Sequence, residues 1–142
     1  MQTSSALLLD THVWIWLMQG GDTRLSGGSA LQAIVDASRH SGIAVSAISV
    51  WEVAMLEAKG RLVLGSPISE WIEASLSAPG IAMAPLSPTI AIDSTRLPGD
   101  FHGDPADRIL VATARHLRCP LVTADRRILD YSGSGHVRTI EV

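Results

Sequence analysis

Short apolar runs along this chain alternate with stretches whose apolar residues recur three and four positions apart. Leu7-Leu8-Leu9, Ile43 to Ser46, Ile81 to Leu86, Leu121 to Thr123 and Val137 to Val142 read as buried strands. Helical spacing predicts segments over Thr11 to Met18 and Ser26 to His40, the latter with an apolar face of Leu31, Ile34, Val35 and Ala37. Further helices are expected from Ser49 to Gly60, from Ser66-Pro67 through Ile68, Trp71, Ile72 and Leu76, from Ser87 to about Arg96, and from Asp104 to Leu117. Gly20-Gly21-Asp22, Pro79-Gly80 and the stretch Leu97 to Gly103 punctuate them. Strands alternating with helices imply right-handed crossovers and a mostly parallel sheet covered on both faces, hence the α/β class. No repeat, low-complexity tract or long linker divides residues 1–142, so a single domain is expected.

Four acids stand out against this frame: Asp10, Glu52, Asp107 and Asp125. Each is expected near a passage from strand to helix, and in an open parallel sheet such passages converge at the carboxyl ends of the strands, where ligands bind. Helix capping offers a simpler account of each acid alone. Ser49-Val50-Trp51-Glu52 fits a capping box with Ser49 at the N-cap, and Asp104-Pro105-Ala106-Asp107 fits an acidic cap with proline at N1. Asp10 and Asp125 can cap the helical turns after them. Capping does not require four acids to share one cleft, however, and a parallel sheet brings them together.

Gathered carboxylates repel one another unless a hard cation lies among them, and Mg²⁺ or Mn²⁺ prefers such oxygen ligands. A cation held by Asp10 and Asp107 would polarise a phosphate oxygen and lower the pKa of a bound water. Glu52 or Asp125 could complete the ligand set or hold a second ion, with the Thr11 and Thr123 hydroxyls behind them.

Composition narrows the setting. Of 142 residues, 46% are hydrophobic and 18% charged, which excludes a disordered chain, and a net charge of −3 does not describe a basic nucleic-acid coat. The 11 cationic residues include a single lysine, Lys59, and arginine suits phosphate oxygens, although compositional bias explains this equally well. One cysteine, Cys119, excludes an internal disulfide and a Cys-rich zinc site and points to a reducing cytoplasm. No secretory signal is visible at Met1 to Ser5, and no apolar run nears the roughly 20 residues of a membrane-spanning helix.

Four segments in order carry a family resemblance: Leu7-Leu-Leu-Asp10-Thr11-His12, Ser46-Ala-Ile-Ser49-Val-Trp51-Glu52, Asp104-Pro-Ala-Asp107-Arg108-Ile-Leu-Val-Ala-Thr-Ala114 and Leu121-Val-Thr123-Ala-Asp125. Together they resemble the PIN-domain ribonucleases, in particular the VapC-type toxins of bacterial toxin–antitoxin pairs, over nearly the whole chain. The resemblance implies a three-layer α/β/α sandwich and a Mg²⁺- or Mn²⁺-dependent endoribonuclease that cuts tRNA or ribosomal RNA and halts translation. It implies a homodimer and a cognate VapB-like antitoxin whose C-terminal segment lies near the active site. The family acids fall on Asp10, Glu52, Asp107 and Asp125, and the family hydroxyl on Thr123.

Arg108, Arg126 and Arg127 lie near these acids in the chain and could hold RNA phosphates or an antitoxin carboxylate. Asp104 and Arg108 have the spacing of a local ion pair. Trp14 and Trp16 cannot both face one core, whereas Trp51 and Trp71 are expected inside it. His12 and His102 lack zinc-ligand spacing, which makes a general-base histidine a poor expectation. Two other readings remain at this level. One is a PIN-like module that binds RNA or protein without cutting. The other is an aspartyl-phosphate phosphatase or receiver, which His12 opposes by standing where a phosphatase needs its second aspartate.

Overall fold

The computed structural model describes residues 6–20, 24–25 and 28–142. The expectations at Met1 to Ser5, at Gly21-Asp22 and at the Ser26 helix start lie outside the described residues. In order, the elements are β1 (Leu7–Leu9), α1 (Thr11–Gln19), α2 (Ser29–Ser38), β2 (Ile43–Ser46), α3 (Ala47–Ala58), α4 (Ile68–Leu76), β3 (Ile81–Ala84), α5 (Pro88–Ser94), α6 (Pro105–Leu117), β4 (Leu121–Thr123), α7 (Arg126–Ser132) and β5 (Thr139–Glu141).

The strands form one sheet in the order β3-β2-β1-β4-β5, and every pairing is parallel. The α/β expectation holds, with a sheet more uniform than "mostly parallel". Alternation along each strand divides the interior in two. Leu7, Leu9, Ile43, Val45 and Val122 face one core, shared with Val13, Trp14 and Ile15 of α1, Ala30, Ile34 and Ala37 of α2, and Val53 of α3. Leu8 and Leu121 face the other, shared with Ile90 of α5, Leu110, Val111 and Ala114 of α6, and Ile128 and Tyr131 of α7. Helices on both faces make the three-layer sandwich.

Several boundaries depart from the sequence expectation, β5 among them at Thr139–Glu141 rather than Val137 to Val142, and three have a local reason. Strand β3 stops at Ala84 because Pro85 has no N–H for the ladder. Helix α3 begins at Ala47, not Ser49, because Ser46 is the N-cap and its hydroxyl accepts from Ile48 N at 3.1 Å. A seven-residue α7 stands where only helical turns were expected, started by Asp125, whose Oδ1 accepts from Arg127 N at 2.8 Å and Ile128 N at 3.3 Å. Among the described residues, no helix is long and apolar enough to cross a membrane.

The strand order sets the position of the site. From β1 the chain passes through β2 and β3 on one side, then returns to β4 and β5 on the other. The switch lies between β1 and β4, and their carboxyl ends open a crevice.

Candidate active site

Asp10 leaves the end of β1 directly into this crevice. Its carboxylate is fixed at both oxygens: Thr11 N donates to Oδ1 at 2.8 Å, and Thr123 Oγ1 donates to Oδ2 at 2.6 Å. The second bond ties the end of β1 to the end of β4. Thr123 also accepts from Asp125 N at 3.0 Å, so one hydroxyl positions both acids. On the other flank, Thr11 Oγ1 lies 2.8 Å from Ser49 Oγ and donates in a short contact to Glu52 Oε1. Because α3 starts at Ala47, Glu52 lies in its second turn rather than at N3. Its orientation comes from Thr11 of α1, and Ser49 is a fully buried partner in that network rather than a cap.

Asp107 enters from α6. Asp104 caps that helix as expected, Oδ1 accepting from Asp107 N at 3.2 Å. Asp107 belongs to the first turn of a helix that follows α5 and a loop, so it does not follow a strand as the simplest pattern required. Asp10, His12, Trp16, Glu52, Asp104, Asp107, Ala124 and Asp125 line a cavity of about 320 Å³. Among the described residues, no lysine or arginine lines it.

This crowding of acids disturbs their ionisation. Burial, then the charges of Asp10, Asp104, Asp125 and Glu52, push the Asp107 carboxyl up to about 8. Burial also raises Glu52 and Asp10 above the usual carboxylate range, against the lowering effect of their hydrogen bonds to Thr11 and Thr123. His102 Nε2 is 3.2 Å from Asp107 Oδ2, in ion-pair range but without the alignment of a hydrogen bond. The partners of His102 were not legible from spacing. Its Nδ1 accepts from Asp104 N at 3.3 Å, which leaves the proton on the ring nitrogen facing Asp107.

The remaining expectations divide. Arg108 donates to Ser94 O at 2.8 Å, Phe101 O at 3.1 Å and His102 O at 3.2 Å, so its guanidinium braces the loop before α6. No Asp104–Arg108 ion pair forms among the described residues. Arg126 pairs with Glu141 at 3.2 Å and Asp130 at 3.8 Å. Trp14 is buried and Trp16 half-buried, with Arg24 over the Trp16 ring at 4.8 Å. Trp71 packs on Trp14 at 5.2 Å, as a core residue should. Trp51 does not: it is 58% exposed, beside a hollow lined by Ile48, Met55 and Pro105 together with Glu52 and Asp104.

The donor set suits a hard divalent cation in chemistry: every candidate ligand is a carboxylate oxygen, and burial followed by repulsion from the other acids raises Asp107. Among the described residues, no three acidic, histidine or cysteine side chains are gathered tightly enough to enclose an ion directly.

Known proteins share this fold. Residues 7–133 match the PIN domain family. The chain is similar to Ribonuclease VapC22 of Mycobacterium tuberculosis (strain ATCC 25618 / H37Rv), with 36% identity over 138 residues covering 97% of this chain and 98% of that one. Its fold is similar to that of a toxin–antitoxin complex from Klebsiella pneumoniae, with TM-score 0.59, 23% identity and coverage of 96% and 100% of the two chains. It is likewise similar to the DNA-bound VapBC of Salmonella typhimurium, with TM-score 0.66, 13% identity and coverage of 96% and 97%.

Proposed function

The chain belongs to the PIN-domain family, and on that premise we propose that it is a metal-dependent endoribonuclease acting as the toxin of a type II toxin–antitoxin pair. The observation that carries this reading is the cleft at the β1/β4 switch, where five carboxylates converge and Asp107 is pushed up to about 8. Helix caps alone do not need such a cluster. The ribonuclease relative supports the activity, and the toxin–antitoxin complexes among the structural relatives support the pairing.

Asp10 and Asp107 would hold Mg²⁺ or Mn²⁺, with Glu52 and Asp125 completing its shell through water. Once bound, the ion supplies Lewis-acid polarisation of a phosphate oxygen and a more acidic water. The chain's own groups do the positioning. Thr11 and Thr123 lock the Asp10 carboxylate, so its geometry is set before substrate arrives. Thr11 does the same for Glu52. His102 Nε2 faces the Asp107 carboxylate at 3.2 Å. Water adds to phosphorus, the phosphodiester P–O bond breaks, and a strand of RNA is cut.

The partners follow from the same reading: structured RNA such as tRNA or ribosomal RNA as substrate, and a VapB-like antitoxin as inhibitor. A homodimer is part of the proposal. It is supported by exposed apolar side chains at Trp51 of α3, Met83 of the edge strand β3, Leu86 after it and Ile92 of α5. A cytoplasmic setting suits an RNA substrate and the free, buried Cys119.

The test is cleavage of tRNA and ribosomal RNA by purified protein freed of any partner, with Mg²⁺, Mn²⁺ or EDTA. Discrete metal-dependent fragments are expected, reduced at least about 100-fold in Asp10→Asn and Asp107→Asn. Cleavage that persists in EDTA, or in both variants at full rate, overturns the assignment.

A further inference from the structure

Among the described residues no lysine or arginine lines the cleft, although Arg24 lies over the Trp16 ring beside it, and two of the arginines near it are engaged elsewhere: Arg108 with three carbonyls, Arg126 with two carboxylates. Cationic charge concentrates instead at the opposite end of α6. There Arg115, Arg118, His136 and Arg138 surround a pocket of about 400 Å³ floored by Ala114, Cys119 and Val137. The three arginines are exposed, and no carboxylate lines the pocket. Among the described residues, none of them forms an ion pair.

The pocket is held in shape by the arginines themselves. Arg138 donates to Arg118 O at 2.7 Å and Arg115 donates to His136 O, which cross-links the end of α6 to the segment entering β5. Each of those guanidiniums keeps further donors, and the Arg118 side chain makes no hydrogen bond among the described residues. Arg118 sits at the C-cap with φ of 55°, where the chain reverses and carries its side chain off the helix axis. The negative end of α6 accounts for Arg115 and His116 in its last turn. It does not account for Arg138, which arrives from a different part of the chain.

We infer that this pocket is a docking site for RNA phosphodiesters, remote from the cleft and resting on the ribonuclease reading. An acidic cleft binds polyanionic substrate poorly unless another surface supplies attraction, and backbone contacts by arginine supply it without regard to sequence. The thirteen residues of α6 put the two sites about 20 Å apart. A folded RNA can bridge that distance, and a fragment of one or two nucleotides cannot. The site thereby favours large structured RNA over short pieces.

The test measures binding rather than cutting. Protein silenced by Asp10→Asn is titrated with bulk tRNA and with an unrelated structured RNA at several salt concentrations, beside the same protein carrying Arg118→Glu, Arg138→Glu or Lys59→Glu. Lys59 is exposed at the C-cap of α3, and its substitution changes net charge equally. Arg118→Glu is expected to weaken both RNAs by about 10-fold at low salt and to reduce the salt slope by about 1. Lys59→Glu should bind as the parent does. Equal affinity for Arg118→Glu and the parent, or equal weakening by Lys59→Glu, overturns the site. Should Arg118→Glu lower the melting temperature sharply, Arg138→Glu gives the same reading. Cleavage read separately with Asp10 intact separates the two proposals: weakened binding by Arg118→Glu where the Asp10-intact protein cuts nothing sinks the nuclease and keeps the docking site, and normal binding by Arg118→Glu where the Asp10-intact protein cuts does the reverse.

Discussion

Asp107 is the residue at which stability and chemistry conflict most openly. Its carboxyl ionises near 3.8 when free of the fold and at about 8 within it, chiefly through burial and then through Asp10, Asp104, Asp125 and Glu52. A carboxyl raised on folding stabilises the protein below the unfolded value, and that stability is lost as pH climbs towards the folded value. Melting temperature in EDTA should therefore fall between about pH 4 and pH 8, with Glu52 and Asp10 contributing in the same direction. Asp107→Asn removes one of these strains. It should melt near the wild type at pH 4 and a few degrees above it at pH 8, while losing cleavage. A melt in EDTA across that range decides the matter, since equal melting at pH 8 would show that the carboxylates do not strain one another. The four acids themselves were legible in the sequence because each has a fixed relation to a helix start or strand end. The hydroxyl network that orients them was only half legible. Thr11 and Thr123 were read, but Ser49 was taken for a cap, and the approach of His102 to Asp107 depends on a loop that no periodicity describes.

At the scale of elements, a cap placed three residues away changes the role of the side chains near it: Ser49 passes from cap to buried network. Ser46 and Ser49 are both acceptable N-caps in a sequence, and the choice of Ser46 starts α3 two residues before Ser49, at Ala47. On a helix with 3.6 residues per turn, burial depends on which neighbours each face meets, and Trp51 comes out exposed where the sequence suggested core. The apolar flanks of Trp51 and Trp71 look alike in one dimension. Only the second meets Trp14, at a centroid distance of 5.2 Å. Trp71→Ala should accordingly cost about 2–3 kcal/mol of stability and Trp51→Ala under about 1 kcal/mol, read by urea unfolding of each variant. If the two cost the same, the outward position of Trp51 is wrong. The strands and the long α6 were legible because their apolar runs and caps agree with the tertiary structure. Strand β3 was overextended because apolar character continues through Leu86 after Pro85 has ended the ladder.

Over the whole molecule, charge is divided by the direction of the sheet. Strand carboxyl ends and the start of α6 collect Asp10, Glu52, Asp104, Asp107 and Asp125, while the end of α6 and the approach to β5 collect Arg115, Arg118 and Arg138. A net charge of −3 conceals this separation, which is why composition could not name a partner. The acidic end also sets how the protein should respond to a divalent cation. An ion bound among the acids relieves their repulsion and competes with the protons that otherwise do so. Below about pH 5.5 a proton already occupies Asp107, so added Mg²⁺ should move the melting temperature little. At pH 8 more of the acids are ionised and the site is charged. Mg²⁺ at 100 times its dissociation constant then contributes about 2.7 kcal/mol, or roughly 8 °C for a domain of this size. Ca²⁺, larger and less exacting in geometry, should stabilise the cleft as well, so protection alone does not identify the catalytic ion. Differential scanning fluorimetry of wild type and Asp107→Asn, with Mg²⁺ at pH 5.5 and pH 8, separates the possibilities. A large shift confined to the wild type at pH 8 places the cation at these acids. An equal shift in the variant moves it away from Asp107, and no shift in either protein returns the carboxylates to their simpler role at the starts of helices.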